Sequence, residues 1–464
     1  MDEGALMGRG PLPGNSKQNR IVIIGAGPCG LGAAWCLRAL GYENFQLYEA
    51  SDRPGGLCAS FTDKEGFTWD QGVHVIAAAG KDFLEFIRLN CPQAGLMSRH
   101  RQALVWAFGR WIPYPFQNHI YAFPFGQALK SVLGVLLARG VSPQENVSLQ
   151  GRIMKAFGEG LGSQFLFPFN RKIWCYPLDQ LEADEIMPRV SPLSPGDLFL
   201  QICALRARKD WGLNARFFYP QDNGIGGIFR ELAGPLSSKI SYSAEVVGID
   251  TAAKKVFLQD SRSDSYDFLI NTMPLDRLLE ISGVRGAGEE EKALRYTSLK
   301  AVGIGLRLPC AHPWHWAYFP QPELPFFRVS PVNNFSSRSV PGADTYSAFL
   351  CELSYAQGKA PQDGRVADDV IAGLQACGLI SSQDRSKVVS VFVKDVPHAY
   401  PLAVLGGRPA LSGVHRRLES LGIYSRGRFG GWRYAIGNMD DCFRQGQEIA
   451  GRLATGEPET TWRT

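Results

Sequence analysis

The sequence predicts an α/β fold whose first unit binds a dinucleotide, and three neighbouring features predict it. Residues 21–24 (IVII) form an apolar run that is typical of a buried parallel strand. Gly25, Gly27 and Gly30 follow in a G-x-G-x-x-G pattern that opens an alanine-rich helix. A second apolar run then ends at Glu49. This strand–turn–helix–strand order is the Rossmann-like arrangement, and it predicts a nucleotide-binding domain.

Each residue type in this unit has a physical role in holding a dinucleotide. Gly25 allows the tight turn, Gly27 lets the backbone approach a pyrophosphate, and Gly30 lets helix and strand pack closely. The helix N-terminus then turns its free N–H groups toward the phosphates. Glu49 is placed to accept a hydrogen bond from a ribose hydroxyl, which argues against a 2′-phosphate at that position.

A second glycine pair indicates which dinucleotide is bound. Gly55, Gly56 and Leu57 follow the second strand in the run RPGGL and supply further backbone N–H groups. The spacing from Glu49 to this pair resembles the flavin-binding branch of these folds rather than the nicotinamide-binding branch. We therefore expect FAD as the cofactor.

The composition is that of an ordinary globular protein with room for two or three domains. The chain has 464 residues, of which 45% are hydrophobic and 20% charged. The net charge of +5 arises from interspersed charges, so we expect no nucleic-acid partner and a slight preference for anionic substrates. Ten cysteines without a CxxC motif or paired histidine spacing predict reduced thiols and no metal site.

The chain shows no targeting or membrane signal. No apolar run reaches the length of a bilayer-spanning helix. Residues 1–17 are rich in glycine, proline and polar residues and lack the apolar stretch of a signal peptide, so we expect a disordered tail. A cytoplasmic protein without a membrane partner is the expectation, and the oligomeric state is not predicted.

Cofactor-type elements near both ends of the chain predict a discontinuous FAD-binding domain. Its expected segments are residues 18–90, 219–298 and 395–464. Residues 91–218 are expected to form a mainly helical domain that carries part of the substrate cleft, and residues 299–394 an antiparallel β-sheet substrate domain.

Between residues 20 and 455 the chain resembles the flavin-dependent UDP-galactopyranose mutases, and their eukaryotic-type branch more than the bacterial one. The resemblance lies in the order and spacing of several segments. One is the segment around His74, and the others are GAGPCGLGAAW, WIPYPFQN, FLFPFNRKIW, DWGLNARFFYPQDNGIGGIF, WAYFP…PFFR, HAYP and YSRGRFGGWRYAIGN. It implies an FAD domain, a helical domain and a sheet domain around a shared cleft.

The resemblance also implies roles for single residues. His74 would lie against the flavin and tune its environment. Arg101 matches an arginine linked to NADPH use, which makes NADPH a candidate reductant. The positions that match FAD contacts are Gly25, Gly27, Gly30, Glu49, Gly55, Gly56, Leu57, Val246, Arg428, Gly437, Asn438 and Met439.

For the substrate, the resemblance implies a UDP-sugar held by arginines and aromatic rings. Arg189 and Arg328 would hold the diphosphate, because guanidinium forks pair well with phosphates. Phe165 and Phe169 would stack on uracil, and Gln117 would hydrogen-bond it. The other implied substrate contacts are Tyr114, Asn170, Trp174, Asn214, Trp316, Tyr318, Tyr400 and Tyr434.

The implied reaction is a pyranose–furanose isomerisation with no net redox change. The reduced flavin N5 would attack the anomeric carbon, UDP would leave, and a flavin–sugar iminium would allow the ring to open and reclose. Arg189 and Arg328 would stabilise the departing diphosphate. This reading makes His74, Arg189 and Arg328 the catalytic residues.

Four positions depart from the mutase pattern. Val73 stands where a second glycine normally precedes the histidine, and a β-branched residue restricts backbone movement there. Phe335 stands where the family usually has a diphosphate-contacting tyrosine, so one donor is lost. Phe169 replaces a stacking tyrosine, and Ala103 replaces a serine near the expected NADPH site.

These departures leave alternatives open. One is a mutase scaffold that acts on a different nucleotide sugar or diverts the flavin–sugar adduct to another product. Another is an FAD-dependent oxidase of the amine or porphyrinogen type, although paired arginines speak against an apolar or amine pocket. A nucleotide-sugar sensor without turnover is a further alternative.

Overall fold

The structure is a computed structural model that describes residues 18–78, 80–138, 147–191, 193–203, 215–284 and 288–462. The expected disordered tail, residues 1–17, lies outside the described residues.

A five-stranded parallel sheet forms the centre of the nucleotide-binding part of the molecule. Residues 21–24 form its middle strand and are at most 5% exposed, as expected for a strand covered on both faces. The strands come from widely separated stretches of the chain, and the predicted α/β class is confirmed. Their order across the sheet is Ile240–Ser241, Phe45–Tyr48, Ile21–Ile24, Phe268–Asn271, Ile423–Ser425.

Two helices that begin beside this sheet cross at very close range. The predicted first helix runs from Pro28 to Ala39, and the closing helix runs from Met439 to Thr455. A Cβ atom on Gly446 would lie 1.9 Å from the carbonyl oxygen of Cys29, so only glycine fits at this crossing. The close contact packs the middle of the closing helix against the start of the first one.

Among the described residues, three smaller sheets accompany the parallel sheet, two of three strands and one of two strands. The alternation between residues 240 and 269 predicts a small antiparallel sheet, and the structure confirms it. Its strands are Val246–Asp250, Lys255–Leu258 and Ser263–Ser265. The other two sheets comprise Ser60–Thr62 with Thr68–Asp70, and Ile76–Ala77, Arg216–Tyr219 and Met97–His100 in that order.

A seven-stranded sheet, called the substrate sheet below, forms a second layer. Its pairs are antiparallel among the described residues except for Trp316–Tyr318 with Ala103–Ala107, which run parallel and have the long connection that a parallel pair needs. The predicted hairpin of residues 103–113 thus joins this sheet rather than the helices. The order is Val388–Pro401, Tyr296–Leu306, Ser347–Ala356, Arg328–Pro331, Trp316–Tyr318, Ala103–Ala107, Arg110–Pro113.

The helical part of the molecule lies beside one end of the substrate sheet. The three- and four-residue spacing of apolar residues between 125 and 164 predicts helices, and the described residues confirm them. Helices of this part are Phe125–Leu137, Leu149–Leu161, Phe167–Trp174, Ala183–Ile186 and Pro195–Cys203. The remaining described α-helices are Lys81–Asn90, Gly226–Ala233, Leu275–Ser282, Gly288–Ala293, Asp363–Ala376, Gly407–Ser420 and Gly427–Gly430.

Within the part of the chain that the structure describes, no helix is both long enough and apolar enough to span a bilayer.

Candidate active site

A cavity of about 540 Å³ opens where the parallel strands end. It is lined by residues that directly follow strands of the parallel sheet. Ligands of open α/β sheets bind at this carboxyl end of the strands. The N-termini of both crossing helices border it as well, so free N–H groups and two helix dipoles face the same space. The predicted residues that line this cavity are His74, Gly25, Gly27, Glu49, Gly56, Leu57, Val246, Arg428, Gly437 and Met439.

The two glycine turns form a cradle of bare backbone that fits a pyrophosphate. A Cβ atom on Gly56 would lie 3.2 Å from the Cα atom of Gly27, so side chains at this point would fill the cradle. Gly55 has φ +112°, which favours glycine, and its N–H group donates to the carbonyl oxygen of Ala26 at 2.9 Å. The residues present therefore suit the diphosphate of FAD.

Glu49 is held by the turns on both sides of it. One of its carboxylate oxygens accepts from the Ala26 N–H at 2.6 Å, and the other accepts from the Ser51 N–H at 2.8 Å and the Ser51 hydroxyl at 2.7 Å. The residue is 8% exposed and lines the cavity. A carboxylate has about four lone-pair sites, so Glu49 retains the capacity to accept a ribose hydroxyl.

Three predicted cofactor residues shape the cavity from behind its surface. A Cβ atom on Gly30 would lie 1.8 Å from the carbonyl oxygen of Gly25, so this glycine permits the helix to sit close to the turn. Gly55 supports the cradle through its turn, as described above. Asn438 caps the closing helix in a capping box with Asp441.

Several cavity residues escape prediction from the sequence. Thr272 and Met273 follow the strand Phe268–Asn271, and Gln71 precedes the histidine segment. A rule that every residue just after a buried parallel strand is a ligand candidate would find the first two. The stretch 394–398 has no such signal, because it belongs to an edge strand of the substrate sheet that reaches the cavity only through tertiary packing.

His74 lines the cavity, and the charges of two arginines act on it. Burial, together with the positive charges of Arg428 and Arg328, lowers the pKa of His74 to about 3. The Nδ1 atom lies 3.1 Å from the carbonyl oxygen of Gly72, which favours the tautomer that donates from Nδ1. The imidazole is therefore neutral near pH 7 and offers Nε2 as an acceptor.

Arg328 is paired with a buried acid, Glu352, which the sequence prediction does not include. The Nη2 atom donates to Oε1 at 2.6 Å, and Nε donates to Oε2 of the same carboxylate. Burial alone would lower the pKa of Arg328, but Glu352 outweighs it and raises that pKa. The signal in the sequence is that Glu352 is an acid within the otherwise uncharged strand Ser347–Ala356.

Arg189, the second arginine predicted to bind the diphosphate, is exposed to solvent, and its side chain is fixed by contacts with Tyr434. It ends the short 3₁₀ helix Met187–Arg189. Its Nη2 atom donates to the carbonyl oxygen of Tyr434 at 2.8 Å, and its guanidinium carbon lies 4.0 Å from the centroid of the Tyr434 ring. The structure therefore brings Arg189 to one of the predicted substrate tyrosines.

The predicted substrate aromatics lie where the hydrophobic cores of the molecule meet. Tyr114 and Tyr318 pack against both the nucleotide-domain core and the helical core, with ring centroids 4.9 Å apart. Phe169 and Tyr400 pack against both the helical core and the core beneath the substrate sheet. This junction brings together side chains from three parts of the fold, as a cleft requires.

Hydroxyl donors and arginines share this junction. Burial raises the pKa of Tyr400, although Arg328 partly opposes the rise. Burial likewise raises the pKa of Tyr114, with Tyr318 adding to it. Both phenols therefore stay protonated near pH 7 and can donate to phosphate oxygens. Tyr434 completes the group, with its ring 6.1 Å from that of Tyr400.

Some predicted substrate residues have partners within the protein. Phe165 is 1% exposed and stacks on Phe169, with centroids 5.0 Å apart. Gln117 is 1% exposed and donates to the Ser191 carbonyl oxygen at 2.7 Å. Phe165 and Gln117 are thus buried and have partners within the protein, whereas Phe169 is half-buried.

Three other predicted substrate residues contact aromatic side chains of the protein, and a fourth lies outside the described residues. Asn170 accepts from the indole N–H of Trp174 at 2.8 Å, and Trp174 packs edge-on against Tyr434 at 4.9 Å. Trp316 is 5% exposed and stacks on Phe335 at 6.2 Å. Asn214 lies outside the described residues.

Two of the departures from the mutase pattern, Phe335 and Val73, and the predicted NADPH residue Arg101 also have defined surroundings. Phe335 is 4% exposed within the nucleotide-domain core. The guanidinium carbon of Arg101 lies 5.3 Å from the centroid of the Trp316 ring. The N–H group of Val73 lies 3.4 Å from Oε1 of Glu352. Among the described residues, no three His, Cys, Asp or Glu side chains are grouped so as to hold a metal ion.

Comparisons with known proteins agree with this geometry. Residues 28–453 match the family described as flavin containing amine oxidoreductase. A crystal structure of reduced UDP-galactopyranose mutase matches with 34% identity and a TM-score of 0.89, covering 96% of this chain and 97% of that one. A candidate protoporphyrinogen oxidase from Exiguobacterium sp. 255-15 shares the fold at a TM-score of 0.72 and 17% identity, covering 95% of this chain and 99% of that one.

Sequence relatives match over shorter stretches. An L-amino acid oxidase from Cerastes cerastes is 35% identical over 88 residues, which is 19% of this chain and 17% of the oxidase. A zeta-carotene-forming phytoene desaturase from Myxococcus xanthus is 37% identical over 65 residues, which is 14% of this chain and 12% of the desaturase. The matched segments thus span less than a fifth of these curated relatives. The cavity, its glycine cradle and the match across residues 28–453 establish that the chain belongs to the flavin containing amine oxidoreductase family, whose cofactor FAD the cradle fits.

Proposed function

We propose that the protein is a flavoenzyme of the UDP-galactopyranose mutase type, which interconverts the pyranose and furanose forms of a UDP-sugar without net redox change. One observation carries the proposal. Glu352 Oε1 accepts from Arg328 at 2.6 Å and lies 3.4 Å from the N–H nitrogen of Val73, whose neighbour His74 lines the cofactor cavity, so a guanidinium suited to a diphosphate is close to the flavin site. The likeness to a solved mutase along nearly the whole chain supports the same reading.

The nucleotide would be held by rings and the diphosphate by arginine and tyrosine donors. Phe169 offers a ring face for uracil, since base–aromatic stacking contributes about 1–3 kcal/mol per base. Arg328 retains three of its five N–H groups after pairing with Glu352, and Arg189 adds a second fork. The protonated hydroxyl of Tyr400 adds a further donor.

The same groups would stabilise UDP as it leaves the anomeric carbon. Charge develops on the diphosphate oxygens at that moment, and fixed donors in a water-poor cleft stabilise it without reorganising. Bound FAD in its reduced form supplies an electron-rich nitrogen nucleophile to such a site. His74 stays neutral beside it and acts as a hydrogen-bond acceptor through Nε2 rather than as a proton store.

The test is isomerisation by the reduced protein. The dithionite-reduced holoprotein is incubated with UDP-galactopyranose or UDP-galactofuranose, and the nucleotide sugars are separated by chromatography. We expect interconversion in the reduced form and none in the oxidised form. Exchange of ¹⁸O between the bridging and non-bridging positions of the sugar phosphate would report cleavage of the anomeric C–O bond.

The same assay separates the alternatives. Exchange of the label in another UDP-sugar, with none in UDP-galactose, would favour a mutase-type enzyme that acts on a different nucleotide sugar. Peroxide formation from amines, with no ¹⁸O exchange in any UDP-sugar, would contradict the proposal and favour an oxidase. Tight UDP binding without any exchange would favour a sensor.

We further propose that NADPH reduces the flavin. Arg101 lies beside Trp316 and near Tyr114 and Tyr318, at the border of the aromatic junction. A guanidinium there is suited to a 2′-phosphate. Arg101→Ala is expected to slow flavin reduction by NADPH more than by NADH, followed by the loss of flavin absorbance under anaerobic conditions. Equal slowing with both cofactors would remove Arg101 from this role.

A further inference from the structure

We propose that Glu185 is a positioning residue that holds Tyr434, and with it Arg189, at the site of the substrate diphosphate. The inference rests on the proposed function and adds to it an acid that the sequence prediction does not include. Glu185 would act through the two residues that flank Tyr434 and would not touch the substrate itself. Its loss would therefore weaken the binding of UDP through Tyr434.

The segment that carries Tyr434 has neither helix nor strand to fix it. Residues 431–438 form turns between the helix Gly427–Gly430 and the closing helix Met439–Thr455. Trp432 has φ +53°, a left-handed backbone conformation that residues with side chains rarely adopt and that persists only where the surroundings hold it. Contacts with other elements must therefore set the position of Tyr434.

Glu185 supplies two such contacts, one on each side of Tyr434. Its Oε1 atom accepts from Nε of Arg433 at 2.8 Å, and its Oε2 atom accepts from the N–H group of Ala435 at 2.7 Å. Glu185 is 5% exposed and lies in the helix Ala183–Ile186 of the helical part. One buried carboxylate thus ties both neighbours of Tyr434 to the helical part of the molecule.

Arg189, four residues after Glu185, contacts the same segment through the opposite kind of group. Its Nη2 atom donates to the carbonyl oxygen of Tyr434 at 2.8 Å and lies 3.4 Å from that of Ala435. Its guanidinium also lies over the Tyr434 ring. Glu185 therefore accepts from the segment while Arg189 donates to it. A segment that Glu185 no longer held would also displace the partner that fixes Arg189.

Both bonds of Glu185 depend on its carboxylate. A carboxylate presents acceptors only, and hydrogen bonds to an ionised group are about twice as strong as neutral ones. An amide of the same shape has one oxygen and one NH₂ group. In Glu185→Gln, whichever way the amide turns, one of the two donors on Arg433 and Ala435 meets an N–H group. The substitution thus releases one neighbour of Tyr434 from residue 185 without creating a cavity.

A salt bridge that only joined two parts of the fold would have a different signature. It would stabilise the protein, and its loss would change UDP binding by the same factor whether or not Tyr434 is present. A residue that acts through Tyr434 loses its effect once the tyrosine is removed, so the two changes are not additive. A double-mutant cycle on UDP binding therefore separates a positioning role from a merely structural one.

The test measures the Kd of UDP for the reduced, FAD-loaded protein by anaerobic equilibrium dialysis. Glu185→Gln is expected to raise this Kd by roughly tenfold, the size expected when a charged hydrogen bond is lost. Tyr434→Ala raises it as well. In the Tyr434→Ala background, Glu185→Gln should then raise the Kd by less than about threefold. An effect of Glu185→Gln that is as large without the tyrosine as with it would overturn the inference.

Two further variants keep the outcome interpretable. Glu290→Gln is the matched control, because Glu290 is 7% exposed, pairs with Arg417 through two bonds of 2.7 Å and does not line the cofactor cavity. It should change the Kd of UDP by less than about twofold. If Glu185→Gln does not fold, Glu185→Asp keeps the charge but shortens the reach, and its effect must likewise shrink in the Tyr434→Ala background.

The proposed function and this inference fail in different ways. If the unsubstituted reduced protein does not bind UDP, the proposed function fails. If it binds UDP and Glu185→Gln binds UDP as tightly, the function stands and the positioning role of Glu185 is wrong. A Kd that Glu290→Gln raises as much as Glu185→Gln also contradicts a specific role for Glu185.

Discussion

Arg189 lies over the ring of Tyr434 and donates to the main-chain carbonyl oxygen of the same residue. The guanidinium carbon is 4.0 Å from the ring centroid, and Nη2 is 2.8 Å from the oxygen. Arg189 belongs to the helical part and Tyr434 follows the helix Gly427–Gly430 of the nucleotide-binding part. The contact therefore bridges the two parts and holds an exposed side chain in place.

Arg189→Lys is expected to lower kcat/KM for the UDP-sugar by roughly 10- to 100-fold, because lysine keeps the charge but loses the fork and the stacking. Steady-state kinetics with the reduced enzyme measure it. The matched control is Arg385→Lys, which alters an exposed arginine paired with Asp368 at 2.5 Å on another helix. Equal activity of Arg189→Lys and the unsubstituted enzyme would remove Arg189 from the diphosphate site.

Gly446→Ala is expected to release FAD and to destabilise the fold. The new methyl group would lie 1.9 Å from the carbonyl oxygen of Cys29, so the closing helix must move away from the first helix and its N-terminus away from the cavity. The ratio of flavin to protein absorbance and a denaturant titration would show the loss. Gly413→Ala is the control, since nothing lies within 4 Å of its Cβ position inside the helix Gly407–Ser420. It should stabilise by about 0.5–1 kcal/mol.

The nucleotide-binding unit is predictable from the sequence because its determinants are local. The apolar strand 21–24, the glycine turn and Glu49 follow each other within thirty residues, and each obeys a backbone or packing rule that needs no distant partner. The same holds for the hairpin 103–113 and the small antiparallel sheet. The parallel pairing of Trp316–Tyr318 with that hairpin is not predictable in this way, because two distant segments decide it.

The candidate site is predictable in its residue types but not in its pairings. Sequence order places Arg328 in an aromatic strand, yet only the strand register brings Glu352 opposite it. Likewise, Phe165 and Phe169 look equivalent by spacing, whereas helix packing buries Phe165 to 1% exposure and leaves Phe169 half-buried. The roles assigned to single residues by family position stay predictions.

Phe169 and Phe165 are expected to respond differently to truncation. Phe169→Ala should raise KM for the UDP-sugar by roughly 5- to 150-fold, as the loss of about 1–3 kcal/mol of stacking implies, with a smaller loss of stability than Phe165→Ala. Phe165→Ala should cost about 3–5 kcal/mol of unfolding free energy, because it empties a fully buried site. Calorimetry of UDP binding and chemical denaturation separate the two. A loss of stability in both variants, with unchanged KM, would contradict a base-stacking role for Phe169.

Asp70→Asn is expected to remove a pH dependence of stability in the mildly acidic range. Burial raises the pKa of Asp70 to about 6, although bonds from Ser60 and Tyr219 oppose the rise. Since this lies above the value of 3.8 for an unburied Asp, the folded state binds more protons between pH 3.8 and 6, and this term lowers stability as pH rises through that window. The term amounts to about 3 kcal/mol at most.

Unfolding free energies at several pH values between 4 and 7 test this sign. The asparagine keeps an acceptor for the Ser60 hydroxyl, so at pH 7 the variant should be no less stable than the unsubstituted protein. The exposed Asp368→Asn serves as the control and should leave the profile unchanged. A profile of Asp70→Asn that matches the unsubstituted protein throughout the window would show that Asp70 has an ordinary pKa.

His415→Phe is expected to protect the protein against acid. Burial, aided by Arg426, lowers the pKa of His415 to about 3, although a hydrogen bond with the main chain of Gly431 partly opposes the fall. The unfolded chain takes up a proton near pH 6.5 and the folded one does not, so this group contributes stability above pH 6.5 that is lost as pH falls toward 3. The slope from this single group is up to about 1.4 kcal/mol per pH unit.

Phenylalanine removes that slope and replaces a buried polar ring by an apolar one. A cavity of about 30 Å³ beside His415 can admit the larger side chain. We expect equal or higher stability at pH 7 and a clear gain at pH 5, measured by denaturant titration. His100→Phe, at an exposed position of the strand Met97–His100, should not reproduce the gain. If His415→Phe lost stability equally at both pH values, the pKa of His415 would have to be the same in the folded and unfolded protein, because only then would its removal leave the pH dependence unchanged.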